Sequence, residues 1–174
     1  NPSKDRSDDG PMLLSVTHLD GERLTYGEDE SRVSWSFYMR EQKRLLPRAG
    51  DALLAIIGFS LGKTGTVQAD IPPFVLQRMV AVLRADQERL EQQFLRSYLD
   101  SSVFQHHLWS RSKQTQQPAV YLGEIAKIPI PVPDKKEQCR FIEVVEDLRS
   151  NLHRLKARVK QCSNFLKELR EALL

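Results

Sequence analysis

The 174-residue sequence predicts an α+β fold: a globular mixed domain carrying a long C-terminal coiled-coil α-helix. Three observations lead there. Short apolar runs of strand length come first, and helical spacing follows them. From Asp134 to the end, no glycine or proline interrupts a strict apolar repeat. Three prolines at alternate positions in "IAKIPIPVPDKKEQ" (125–138) stand where the two patterns meet, so the chain divides into residues 1–133 and 134–174.

Taken in order, "NPSKDRSDDG" is polar and turn-rich, a frayed start or surface loop. "PMLLSV" is a strand, closed by the turn "HLDGE". "LPRAGDALLAIIG" gives a turn and then a near-continuous apolar run, Ala52–Ile57, short enough for a buried strand. "KTGTVQA" and "FVLQRMVAVL" alternate and read as strands. In "QERLEQQFLRSYLDSSVFQHHL", Leu90, Phe94, Leu95, Tyr98, Leu99, Val103 and Phe104 recur at steps of three and four, which predicts a helix broken near Ser101–Ser102. "WSRSKQTQQP" has no period and reads as a loop.

The last segment is the most regular. Asp134 and Glu137 form a D-x-x-E cap one step after Pro133, and Lys135 opens the helix. The apolar positions Phe141, Val145, Leu148, Leu152, Leu155, Val159, Cys162, Leu166, Leu169 and Leu173 alternate steps of four and three without a slip. At 1.5 Å per residue, residues 134–174 span about 60 Å. A 3.5-residue repeat makes a narrow seam that winds around another helix, whereas a helix lying on its own domain shows a broader stripe of period 3.6. The junction prolines Pro129, Pro131 and Pro133 remove the donors of one edge, leaving Ile128, Ile130 and Val132 to anchor a stiff exit strand.

Charge and composition set the outer limits. Residues 1–133 carry 16 basic and 16 acidic side chains, residues 134–174 carry 10 and 7. The acids concentrate in residues 1–30, and the chain beyond is basic, which permits a nucleic-acid partner without demanding one. No apolar run approaches the roughly 20 residues of a membrane span, so no membrane association is expected. The polar N-terminus does not read as a signal peptide. Two cysteines, Cys139 and Cys162, are too few for a disulfide framework, and a cytoplasmic setting is the expectation.

Two stretches imitate catalytic motifs. "GFSLGKTG" (58–65) has three residues where a phosphate-binding loop needs four, and a strand-like segment comes next instead of a helix. A hairpin turn fits better. "DIPPF" (70–74) places Ile71 where an amino-methyltransferase has the polar residue that precedes its prolines, and no glycine-rich cofactor fingerprint stands after a first strand. His106 and His107 are adjacent, so they point to different helix faces with no ligand at metal spacing. A non-enzyme is expected, with no metal and no cofactor of its own.

With catalysis set aside, five blocks in order resemble the specificity subunits of type I restriction–modification systems: "GPMLLSVTHLDG", "RAGDALLAIIGFSLGKTGTV", "PPFVLQRMVAVLRAD", "FLRSYLDSSVFQ" and "LGEIAKIPIPVPDKKEQ" leading into the heptads. The last is the most specific. The resemblance implies a target-recognition domain reading one half of a bipartite site on double-stranded DNA. It implies also a conserved spacer helix that pairs with a second copy or a second repeat. Such a subunit is non-catalytic and positions methyltransferase subunits, which use S-adenosylmethionine for adenine DNA methylation, and a restriction endonuclease subunit, which uses ATP and magnesium. Family members usually carry two recognition domains and two helical regions. This chain has one of each, so it is half of such a subunit or a half-sized subunit that dimerises.

Base reading needs paired donors and acceptors, and positioning needs cations on phosphates. "SRSKQTQQP" offers Arg111, Ser112, Lys113, Gln114, Thr115, Gln116 and Gln117 in one unpatterned stretch, where the resemblance places a recognition loop. Lys63 and Thr64 resemble another contact region of the family, and Gln77 and Arg78 match its "NQR"-like strand position. A plain solvent loop and a structural ion pair of Arg78 are the alternatives. Lys43, Arg44 and Arg48 form a basic cluster that suits phosphates or a solvated face. Two other readings of the whole chain stay open: the recognition module of a single-chain restriction–methyltransferase, and a coiled-coil protein–protein scaffold without DNA binding.

Overall fold

Strands of only three and four residues, four of the five taken from apolar runs, build the first part of the protein. The computed structural model describes residues 5–113 and 116–172, without the side chains of 167–169, 171 and 172. It falls into two compact units, Asn1–Val132 and Pro133–Leu174.

In the first unit, β1 (Met12–Leu14) pairs in parallel with β4 (Phe74–Leu76), Met12 opposite Phe74 and Leu14 opposite Leu76. A second sheet has the order β3-β2-β5, all antiparallel, from β2 (Ala52–Ala55), β3 (Thr64–Thr66) and β5 (Val80–Leu83). The two-residue period decides the layers. Met12, Leu14 and Phe74 point into a core with Leu19, Leu24, Leu53, Ala55, Val67 and Val80. Leu13 and Val75 face the other way, onto Val33 and Phe37.

Phe37 belongs to α1 (Trp35–Arg44), which the sequence reading does not anticipate. Its reason is visible: Phe37 is the single buried residue of the helix, so no apolar stripe announces it. The start is marked instead by Ser34, whose Oγ accepts from the Phe37 amide at 3.3 Å. The expected broken helix is α2 (Gln92–Leu99) and α3 (Ser102–Ser110), and Ser101 Oγ caps the second by accepting from the Phe104 amide. Leu95, Leu99, Phe104 and Leu108 are buried, and α2 packs on β2. One further turn, α4 (Leu122–Ile125), is too short for a period to reveal it.

Just before β2, Asp51 is 3% exposed and holds a two-pronged ion pair with Arg84, whose Nε and Nη2 lie 2.7 and 2.6 Å from its oxygens. The pair raises the Arg84 pKa above its ordinary value, the hydrogen bond to Asp51 being the main cause. The Arg48 amide donates to the same carboxylate, closing the turn into β2.

The exit segment corrects one expectation: residues 129–134 lie in no strand. Ile128 is buried and Ile130 half-buried, but Val132 is 45% exposed, so the anchoring fades along the segment. The Tyr98 hydroxyl donates to the Pro129 carbonyl at 2.6 Å, one bond where a ladder would have several. These three side chains line a 670 Å³ apolar cavity with Leu83, Tyr98 and Phe104.

The second unit is α5 (Lys135–Ala172), 38 residues long. Asp134 Oδ1 accepts from the Glu137 amide at 2.9 Å, which is the cap the D-x-x-E pattern predicts. Along the seam, Phe141, Leu148, Leu152, Leu155, Val159, Cys162 and Leu166 are exposed and Val145 is half-buried. The Leu169 side chain and Leu173 lie outside the described residues. Intrahelical pairs such as Glu146–Arg149 lie off the apolar row.

Candidate nucleic-acid interface

Three segments far apart in sequence meet at one end of the three-stranded sheet. The first is the loop that leaves β2 and returns as β3. It is pinned by four amide bonds: Gly58 to Pro118, Leu61 to Gly58, Gly62 to Ala55 and Lys63 to Ser60, at 2.7 to 3.0 Å. Gly58 and Gly62 take φ of +83° and +87°, a backbone that only glycine adopts without strain. At Gly62 a side chain would also have to displace the end of Gln105. Gln105, from α3, donates to the carbonyls of Gly62 and Leu99 at 2.9 and 2.8 Å and so fixes the loop to the helical layer.

The second segment is the stretch after α3. It runs alongside the first: the Val120 amide donates to Ile56 at 2.9 Å, and isolated bridges join Ile57 to Ala119 and Lys113 to Ala119. The third is the turn between β4 and β5. Val80 lies opposite Ala55, and the Ile56 amide donates to the Met79 carbonyl, so Gln77 and Arg78 sit at this same end.

The expected contact residues divide accordingly. Lys63, Arg78, Lys113, Gln116 and Gln117 are exposed here, with Gln117 Nε2 next to Gly58. The Lys113 ammonium stands 5.2 Å from the Tyr121 ring centroid, a cation–π contact that steers it without neutralising it. Gln77 is half-buried, and its backbone is tied to Leu14 and Val80. Arg111 is half-buried, donates from Nη1 to the His107 carbonyl at 3.0 Å, and caps the end of α3. Its charge also contributes to holding the Glu124 carboxyl below the ordinary range, after the larger effect of Lys127 at 2.6 Å. Ser112 Oγ donates to the Trp109 carbonyl at 2.8 Å. Gln114 and Thr115 lie outside the described residues.

Thr64 is a correction. It is 4% exposed, and its hydroxyl is committed to the Asp100 carboxylate. The bond ties the start of β3 to the end of α2, so this hydroxyl fastens the loop. Asp100 and Gln105, which hold the loop from the helical side, carry no motif that sequence inspection could find. Arg48 lies at the opposite end of β2, where its amide holds Asp51, and Lys43 and Arg44 belong to α1, with Arg44 3.3 Å from Glu41.

The "GFSLGKTG" stretch is the pinned turn, with β3 rather than a helix behind it. Among the described residues, no group of His, Cys, Asp and Glu could hold a metal ion. Among them, too, no helix is long and apolar enough to cross a membrane. The arrangement presents cations and amides on a fixed backbone, which is what a nucleic-acid surface requires.

Comparison with known proteins bears on the same region. The chain is 26% identical over 134 residues to the specificity subunit of the type I restriction enzyme EcoBI of Escherichia coli, covering 77% of this chain and 28% of that protein. Its fold is similar to that of a chain in a structure of type I R-M system assembly and conformational transition (TM-score 0.71, 20% identity, 99% of this chain and 40% of that one). It is similar as well to the HsdS subunit of Thermoanaerobacter tengcongensis (TM-score 0.63, 20% identity, 93% and 44%). The chain thus spans less than half the length of the relatives it matches, which are specificity subunits, a non-catalytic class. The family described as the type I restriction modification DNA specificity domain matches residues 25–161, well over half of the sequence, and the chain belongs to that family.

Proposed function

We propose that the chain reads DNA sequence as a recognition domain of a type I restriction specificity subunit. The observation that carries the reading is the meeting of Lys63, Arg78, Lys113, Gln116 and Gln117 at one sheet end, on loops that the core holds still. Cations position a duplex through its phosphates, and amide side chains offer the paired donor and acceptor that discriminate adenine. One recognition unit reads one half of a bipartite site. The C-terminal helix, with its open seam, pairs with a second such helix from another repeat or another copy, and its length sets the distance to the other half-site. Methyltransferase and endonuclease subunits assemble around it and bring S-adenosylmethionine, ATP and magnesium, so this chain needs no cofactor. A cytoplasmic location accords with that role.

Two measurements test this. Adenine methylation mapped in cells with and without the gene should reveal a bipartite motif that vanishes on deletion; an unchanged methylome removes the assignment. Replacing Lys63, Arg78 and Lys113 with glutamine should weaken binding to every duplex and flatten its salt dependence, by up to about 0.9 log unit per lost phosphate contact. An unaltered salt slope takes these residues out of the interface.

A further inference from the structure

At the top of the pinned loop stands Phe59, 96% exposed. The other large apolar side chains open to solvent in this unit, such as Trp35 at 53% and Tyr121 at 62%, still rest partly on their neighbours. Phe59 rests on almost nothing, and its loop cannot fold it down. The Gly58 amide is tied to Pro118 on one side, and on the other Leu61 is buried and Gly62 is clamped by Gln105. A mobile loop could let a phenyl ring lie flat on the surface; this one fixes it outward. Its loop also carries the exposed Lys63, and the amide of Gln117 lies next to the preceding residue, Gly58. An exposed aromatic ring on a pinned loop, at the sheet end that carries Lys63 and Gln117, fits the apolar face of a base exposed by parting two stacked pairs.

We propose that Phe59 is a wedge that enters a base step of the bound duplex and unstacks it. The inference rests on the DNA-reading function proposed for the chain and adds a second source of selectivity. Pyrimidine–purine steps unstack most readily, so the site read by this chain carries such a step where the ring enters, a preference independent of hydrogen bonds to base edges.

The test uses the full chain and a duplex recovered from a random library, with 2-aminopurine placed at each position in turn. Binding should raise fluorescence at one step. Phe59→Ala should abolish that signal and lower affinity roughly tenfold or more, with the salt slope unchanged, since a ring displaces no counterions. Phe59→Trp should restore both. The ring carries no internal packing, so circular dichroism and melting of Phe59→Ala should match the parent chain. If the parent chain selects a duplex yet no position brightens, or Phe59→Ala binds as tightly, the wedge is wrong and the DNA-reading function stands. If replacing one thymine by uracil reproduces the whole effect of Phe59→Ala, the ring touches a methyl group and the wedge is equally wrong. If the parent chain selects no duplex, both ideas fall together.

Discussion

Leucine behaves differently in the two units. In the first, Leu14, Leu53, Leu54 and Leu108 are sealed at 0% exposure. In the second, Leu148, Leu152, Leu155 and Leu166 stand between 51% and 65% exposed along a row that repeats without a break. The first unit satisfies its own apolar surface with contacts from distant parts of the chain. The second satisfies its backbone by local hydrogen bonds and leaves its apolar row open. One closes over its own leucines, and the other leaves its row open, as the pairing proposed for it requires. Burial within a single chain is therefore a poor guide to importance here: the exposed row is as regular as any core.

Substitutions put this contrast between core and seam at risk. The largest effect is expected at Leu53, in the centre of the core. Leu53→Ala should lower stability by about 2–5 kcal/mol in urea unfolding, because it removes fully buried apolar atoms and leaves a cavity behind. Next comes Arg84→Met, which deprives the buried Asp51 of its two-pronged partner and leaves it the Arg48 amide; a loss of about 1–3 kcal/mol is expected in the same assay.

A smaller, pH-dependent effect is expected from Glu30. Its carboxyl is 2.8 Å from His18 Nε2, and that hydrogen bond, followed by one from the Gly27 amide, lowers its pKa below the ordinary 4.5. The folded state therefore binds this proton less readily than the unfolded chain. The stabilisation is full above pH 4.5 and is lost as pH falls through the depressed folded value. Melting temperatures followed across this acid range should decline less steeply for Glu30→Gln than for the parent; parallel curves exclude the pair as a contributor. The smallest effect on folding is expected at Leu152. Leu152→Ala should leave the unfolding of the first unit within about 0.5 kcal/mol of the parent, while weakening association of the helix with its partner helix in sedimentation. Equal losses at Leu53 and Leu152 would erase the distinction between core and seam.

Much of the fold is legible in the sequence. The helix start at Lys135, its cap and its length come from Asp134, Glu137 and an unbroken 4-3 step, all of them neighbours in sequence. The break between α2 and α3 is readable for the same reason, as Ser101 caps the helix that begins beside it. By contrast α1 is hidden, because a helix with one buried residue has no stripe to count. The exit segment is readable in its prolines but not in its pairing, since whether an extended segment joins a sheet depends on what lies beside it.

The candidate site divides on the same principle. Lys113, Gln116 and Gln117 can be picked out as polar residues of an unpatterned stretch, and Lys63 through the family resemblance. That Thr64 faces inward to Asp100 cannot, because the two are brought together only when α2, which ends at Asp100, packs against the sheet. Nor can the joining of Gly58 to Pro118, which puts two distant loops on one surface.

Spacing along the chain is enough to specify the long helix, its cap, its apolar row and the glycines of the tight turn. Three-dimensional packing had to settle which loops share a surface, which threonine is buried and which phenylalanine is not. The cause is range. A helix closes its hydrogen bonds four residues away, so its rules are written in consecutive letters, whereas a binding surface is assembled by core packing between segments dozens of residues apart.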